Sequence, residues 1–265
     1  MIIEILVSTM NLENKNSFIK QLDNMNIQNN SLFINQVTQK DVKLFNINIG
    51  NSNKLLSFLE KGLSKSRNRA ISNSTGDILV LADDDLCYED NYAKTIEKAY
   101  EKYKDADIIA FVVKNNDVSR MKKEMKEGRV GFLKSLKLQS VQLTMKKKSL
   151  DDKKVLFDER FGAGSNFFMG EENIFLFDCL RKKMKIYYIP QKIATIIDND
   201  SEWFKGFDSK YFISRGAGYY RMTKLFYHLF ILRFAIQKKK LYQGRISIMD
   251  AVKFMYQGAN ELKRK

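Results

Sequence analysis

The chain predicts an α/β fold: a mostly parallel sheet flanked by helices, with a helical extension at its C-terminal end. Three observations carry this. Short apolar runs rich in β-branched residues, at 2–7, 77–82 and 107–113, alternate with segments of helical spacing through the first half. Each run is closed by polar or turn-forming residues. After Phe207 the pattern turns helical to the end. The expected division is a sheet domain over 1–205 and a helical extension over 206–265. In open sheets of this kind ligands bind beyond the carboxyl ends of the strands.

The elements follow in order. Residues 2–7 read as a buried strand, bounded by Ser8, Thr9 and Asn11. Phe18, Ile19, Leu22 and Met25 have the spacing of one helical face. Residues 31–37 and 42–49 read as strands, and 55–59 as helical. Ser64 is placed to cap a helix that runs to Ser74 and stops at Gly76. Residues 77–82 form a wholly apolar strand that ends in three carboxylates. Asp90 caps a helix through Tyr103, and 107–113 is a further buried strand. Residues 118–138 are basic and irregular, a loop with one helix. Residues 140–145 read as a strand and 171–183 as an amphipathic helix. Residues 185–189 form a strand closed by Pro190, and 193–197 another.

Composition narrows the class. The chain has 265 residues, 44% hydrophobic and 29% charged, an ordinary globular balance. Its two cysteines, Cys87 and Cys179, are far apart, and with one histidine they make neither a disulfide framework nor a zinc site. A reducing cytoplasm is the expected setting. The first residues lack the basic and small-residue features of a signal peptide, and no apolar run is long enough for a membrane span. The net charge of +15 is concentrated at one end: residues 205–265 hold fourteen Lys and Arg against three Asp and Glu, together with twelve Phe and Tyr. Such a segment suits an anionic surface, or the helices cap the sheet domain or pair with a second copy.

Four constellations bear chemistry. Asp83-Asp84-Asp85 directly follow a buried strand. Adjacent carboxylates repel one another, and a divalent cation, Mn²⁺ or Mg²⁺, relieves that repulsion through oxygen ligands. The alternative is a solvated turn. In residues 62–71, Ser64 opens a helix crowded by Lys65, Arg67 and Arg69, an arrangement that suits a phosphate or a base; a solvated basic face is the plainer reading. Residues 157–165 carry glycines that allow close backbone approach, and Glu171-Glu172 then open a helix whose dipole favours their ionised form. One of the pair suits a general base, while simple capping is the alternative. Lastly, Asp198, Asp200 and Trp203 lie in a polar stretch. They offer further metal contacts and an aromatic platform for a sugar, or a polar turn with a core tryptophan. His228 has no Ser or Cys partner in view and reads as structural.

In combination these pieces resemble glycosyltransferase family 2, of the GT-A (Rossmann-like) fold, over roughly residues 1–205. The matching stretches are the first strand ending in Ser8-Thr9, then 62–71 (GLSKSRNRAI), 75–85 (TGDILVLADDD), 157–165 (FDERFGAGS), 170–180 (GEENIFLFDCL) and 185–190 (KIYYIP). They look most like the branch that builds bacterial capsule, cell-wall and O-antigen polysaccharide. The resemblance implies an inverting, metal-dependent transferase acting on a nucleotide-sugar, with UDP expected and a glycan or lipid-linked acceptor. It implies that Asp85 and Asp83 hold the metal and that Asp84 faces the donor sugar or ribose. Ser8, Thr9, Gln36, Ser64 and Arg67 would lie along the nucleotide, with Glu172 the catalytic base beside Glu171. Trp203, Asp198 and Asp200 are candidate acceptor or metal contacts. The family's usual base-reading Asp is replaced here by the run Ile34-Asn35-Gln36-Val37, and no histidine follows Pro190. The expected setting is cytoplasmic, with peripheral contact at the inner face of the plasma membrane through 206–265, or an oligomer through the same helices. A nucleotidyltransferase is the nearest competing enzyme, but 8–13 (STMNLE) is not the glycine-rich loop it needs. A nucleic-acid partner explains the charge but not the acidic trio, and an inactive nucleotide- or polyanion-binding protein is the remaining alternative.

Overall fold

The computed structural model describes residues 1–39, 42–115, 124–197 and 206–264. They form a mixed α/β structure on one ten-stranded sheet, with no helix long and apolar enough to cross a membrane. Two compact units are distinct. One comprises the described residues within Met1–Lys61, Lys65–Leu156 and Cys179–Asp200; the other those within Gly62–Ser64, Phe157–Asp178 and Ser201–Lys265.

The first unit holds the sheet. Its strands are β1 (Ile3–Met10), β2 (Asn30–Gln36), β3 (Ile47–Ile49), β4 (Asn53–Phe58), β5 (Ile78–Asp83), β6 (Leu86–Tyr88), β7 (Ile108–Asn115), β8 (Gly128–Val130), β9 (Leu143–Lys146) and β10 (Ile186–Ile196). The order is β3-β4-β2-β1-β5-β9-β7-β10-β6, with β8 against β10. From β4 through β2 and β1 to β5 every pairing is parallel, as alternating strands and helices require. β9 then enters antiparallel between β5 and β7. The α1 helix (Lys15–Asn24) starts at Asn14, whose side chain accepts from Ser17 N at 3.0 Å. Its Phe18 meets Phe33 of β2 edge to face at 4.9 Å, and both are fully buried with Ile5, Val7, Val80 and Phe111. Each such side chain contributes about 1.5–3 kcal/mol by leaving water. The remaining helices here are α2 (Leu63–Asn73), α3 (Tyr92–Lys102), α4 (Phe132–Ser135) and α5 (Lys147–Lys153). The α6 helix (Glu171–Arg181) follows.

The differences from expectation have local causes. Residues 55–59, expected helical, lie mostly in β4, where Leu55 pairs with Phe33 and the ladder of β2 overrides a run too short to declare its period. Of 42–49 only Ile47–Ile49 is strand, because Ser57 N bonds to the Asn46 side chain instead of to a neighbouring backbone. Asp90 does not cap α3; its carboxylate accepts from Asn26 Nδ2 at 2.9 Å. Ser140–Gln142 is a 3₁₀ turn, so the strand there is only β9. The two strands expected around Pro190 are the single β10, with register shifts between Tyr188 and Ala194 that accommodate the missing proline N–H. Of 118–138, residues up to 123 lie outside the described residues.

The second unit is helical: α7 (Ser209–Met222), α8 (Tyr227–Gln237), α9 (Lys239–Tyr242) and α10 (Ile248–Arg264). Asp208 caps α7, accepting from Tyr211 N at 2.8 Å. Rings of Tyr211, Phe212, Tyr219, Phe234 and Tyr242 interlock between these helices. His228 Nδ1 lies 3.0 Å from Tyr256 Oη, a surface contact between α8 and α10.

Candidate functional site

In the sheet unit, register gathers the predicted donor residues at the carboxyl ends of β2, β1 and β5. Ser8 lies beside Asp83 on one side and Ile34 on the other, Thr9 beside Asn35, and Met10 beside Gln36. Asp84 and Asp85 form the tight turn between β5 and β6. The Asp83 and Asp84 side chains have named local partners. Arg67 of α2, whose side chain is only 3% exposed, donates through Nη2 to Asp83 Oδ1 at 3.1 Å and to Ser140 Oγ at 2.8 Å. Thr9 Oγ1 donates to Asp84 Oδ2 at 2.5 Å. Asp84 keeps one edge in solvent, yet protein atoms crowd its carboxyl: that desolvation raises its pKa, the Thr9 hydrogen bond opposes the rise, and the neighbouring Asp83 charge reinforces it. The Asp85 carbonyl accepts from Ile197 N at 2.8 Å, tying the turn to the end of β10.

The remaining donor-side residues are more enclosed than their sequence context suggests. Ser66 Oγ donates to Ser8 Oγ at 2.8 Å, and Gln36 is buried with its amide 3.5 Å from Glu60 Oε1. Asn35, fully buried, holds both the N–H and the carbonyl of Leu12 at 2.9 and 3.0 Å and so fixes the loop after β1. Sequence reasoning passed over Asn35; a polar residue inside an apolar strand is the signal that would have found it.

The acid turn offers hard oxygen donors, the type that Mn²⁺ and Mg²⁺ take. The Arg67 contact uses one oxygen of Asp83 and the Thr9 contact one oxygen of Asp84. Among the described residues no group of three or more His, Cys, Asp or Glu side chains is assembled for a metal. What the turn offers is an open set of oxygen donors, not a closed protein cage. Asp198, Asp200 and Trp203 lie outside the described residues.

In the second unit the acidic pair opens α6, preceded by Gly170 at φ +93°. The glycine loop before it is tightly built. Gly162, at φ +102°, approaches so closely that a β-carbon there would lie 3.1 Å from Ser64 Oγ and 3.3 Å from Glu171 Cδ. Ser64 is in the first turn of α2, not at its cap: its hydroxyl donates to the Phe161 carbonyl at 2.6 Å, and Leu63 N donates to the Ala163 carbonyl at 2.9 Å. Phe157 stacks on Phe175 of α6 at 4.2 Å. Glu171 is buried and Glu172 half-buried.

One residue that the sequence analysis did not single out organises this region. Arg221 of α7 donates from Nη1 and Nη2 to the two oxygens of Asp178 on α6, at 3.1 and 2.8 Å, and from Nε to Asp158 Oδ2 at 2.7 Å. Arg160 forks onto Asp158 as well, at 2.9 and 2.6 Å. Burial would raise the Asp158 carboxyl, but the hydrogen bonds from Arg160 and Arg221 outweigh it and bring its pKa down to about 2. The signal in the sequence was a cation in an aromatic, largely apolar stretch (Tyr219-Tyr220-Arg221-Met222), which asks for such partners.

A sheet with parallel strands at its centre, closed by an acid turn at its carboxyl edge and flanked by helices, is the GT-A fold. Residues 54–173, a little under half of the chain, match the family model Glycosyl transferase family 2. TarS 1–349 from S. aureus, solved with UDP-GlcNAc, superposes with a TM-score of 0.64 at 11% identity, covering 99% of this chain and 84% of that one. The same protein solved with UDP gives 0.62 at 11% identity, with 99% and 83% covered. The mannosyltransferase PcManGT from Pyrobaculum calidifontis, solved with GDP-Man and Mn²⁺, gives 0.54 at 12% identity, with 99% and 75% covered. At these identities the likeness establishes the fold. No curated protein matches the chain in sequence.

Proposed function

We propose that this protein is an inverting, metal-assisted glycosyltransferase of family 2 that moves a sugar from a nucleoside-diphosphate donor, UDP-linked by expectation, to a glycan or lipid-linked acceptor. The observation that carries the reading is the acid turn Asp83–Asp85 in register with Ser8 at the carboxyl edge of the parallel strands. The family match over 54–173 and the nucleotide-bound neighbours support it. Cell-surface polysaccharide synthesis in a bacterial-type cell, at the cytoplasmic face of the plasma membrane, is the setting in which such an acceptor is presented.

In this reading Asp85, helped by Asp83, would hold Mn²⁺ or Mg²⁺, and Arg67 orients Asp83 through its hydrogen bond to Oδ1. When bound, the ion stabilises negative charge on the departing diphosphate. Ser8, Thr9, Gln36 and Ser64 line the nucleotide, and Thr9 fixes Asp84 for contact with the ribose or donor sugar. Glu172 accepts the proton of the acceptor hydroxyl. The hydroxyl oxygen bonds to the anomeric carbon as the bond from that carbon to the diphosphate oxygen breaks. The nucleoside diphosphate leaves with the electron pair, and the configuration inverts. Glu171, buried against the Gly162 loop, holds the helix start that presents Glu172. Asp198, Asp200 and Trp203 are retained as acceptor or metal contacts.

Glu172→Gln is expected to lower turnover by at least about 100-fold while donor affinity stays the same. Product formation by chromatography and donor binding by calorimetry separate the two effects; full turnover in the variant removes Glu172 from the role. Asp85→Ala should abolish the gain in UDP affinity that Mn²⁺ confers. An affinity that is equal with and without EDTA, in the wild type, overturns the metal assignment.

A further inference from the structure

The C-terminal helices carry a surface that glycosyl transfer does not explain. Leu225, Leu229, Leu232 and Ile236 follow one another at steps of four, three and four residues, one stripe along α8 and the turn before it. They are 75%, 63%, 46% and 67% exposed. The opposite face of the helix, Tyr227, Ile231 and Ala235, is buried. A helix that buries one apolar face and offers a second to water is incomplete without a partner.

The charge around the stripe selects the partner. Lys224 precedes it, Arg233 lies within it, and Lys238, Lys239 and Lys240 follow it, all exposed. Between residues 209 and 249 the chain has nine Lys and Arg and neither Asp nor Glu. Two copies of this face would bring cations against cations with no carboxylate to relieve them. An anionic lipid surface answers both features at once: acyl chains take the leucines, and phosphate head groups take the lysines. At eleven residues α8 is far too short to cross a bilayer, so the stripe suits a helix lying in the interface plane.

We propose that α8, with its flanking lysines, docks this protein on a bilayer containing anionic phospholipid, Leu229, Leu232 and Ile236 entering the acyl boundary. The proposal goes beyond the catalytic reading and does not depend on it, since binding is measured without donor or metal.

The test is flotation of the whole chain with vesicles of phosphatidylcholine alone and of phosphatidylcholine with phosphatidylglycerol as the minor component. The wild type should float with the anionic vesicles and bind the neutral ones roughly tenfold less or weaker. Replacing Leu229, Leu232 and Ile236 together by Ser should abolish flotation, and replacing Lys238, Lys239 and Lys240 together by Ser should weaken it by roughly tenfold or more. All the substituted side chains are exposed, so circular dichroism and the thermal midpoint should stay those of the wild type. Failure of the wild type to float with either vesicle overturns the proposal. So does flotation that survives the apolar triple, or a dimer, seen by light scattering, that the apolar triple dissolves.

Discussion

Arg67 in the sheet unit and Arg215 in the helical unit meet opposite surroundings. Arg67 reaches Asp83 and Ser140, and the neighbouring Asp84 has Thr9. Arg215 lies 5.0 Å from the ring centre of Tyr211, 4.7 Å from that of Phe234 and 6.0 Å from that of Tyr219, with no carboxylate partner among the described residues. Around the acid turn, Asp83 has a charged partner and Asp84 a hydroxyl donor, set on a frame of backbone ladders. Along α7 and α8, Arg215 is left to aromatic faces and Arg233 to solvent, while Arg221 is paired. The first arrangement suits a site that must hold a small charged ligand in one pose. The second leaves a net field, which is what recognition of an extended anionic surface uses.

The frames differ as much as the charges, and this gives the largest expected effect. The sheet unit tolerates side chains everywhere along its central ladder, whereas α7 and α10 cross through two glycines. A methyl group on Gly216 would lie 1.9 Å from the Met255 carbonyl oxygen, and one on Gly258 equally close to that of Ile213. Backbone cannot yield as a flexible side chain does, so the helices must separate. Gly216→Ala is expected to cost upwards of about 3 kcal/mol, beyond ordinary overpacking. Urea unfolding followed by circular dichroism measures it; an unchanged midpoint would mean that α7 and α10 do not cross this closely.

A smaller effect is expected at Arg221, where the helical unit uses the paired-charge device of the sheet. Arg221→Met leaves Asp158 and Asp178 without their shared fork. A fully buried pair would lose more, but the arginine side chain is 28% exposed, so roughly 2 kcal/mol is expected. Adding Asp178→Asn should recover part of it, because the orphaned carboxylate is removed. Additive losses in the double variant would sever the link between these two residues.

What the sequence made legible was whatever repeats locally. The strands at β1, β2, β5 and β7 announced themselves as apolar runs, and the helix opened by Glu171-Glu172 by its acidic first turn. The turn at Asp83–Asp85 stood out because three adjacent carboxylates have no cheap structural use. The rest was decided by partners distant in sequence. β4 is a strand because β2 lies beside it. Ser64 looked like a cap, but the Phe161 carbonyl, 97 residues away, takes its hydroxyl. Arg221 needed Asp158 and Asp178, 63 and 43 residues back, before its purpose was visible. Gly216 and Gly258 gave no turn signal because their role is contact between helices, not backbone freedom.

The carboxylates of the two units also respond to acid in opposite senses. Asp84 is raised by crowding, so in the metal-free protein its protonation favours the folded state. Asp158 is depressed from the ordinary 3.8 to about 2. A depressed carboxyl stabilises the fold fully above its unfolded value, and that contribution fades as the pH falls from near 4 toward 2. The amount at stake is on the order of 1–2 kcal/mol, the smallest effect considered. Carboxyl-carbon NMR of the wild type should show Asp158 titrating near 2, and Arg221→Met should move it upward while leaving Asp84 in place. The stability of that variant should then be flatter between pH 4 and 2 than that of the wild type. Should Asp158 titrate at the ordinary carboxylate value in the wild type, the Arg160–Asp158–Arg221 arrangement is not the one populated in solution.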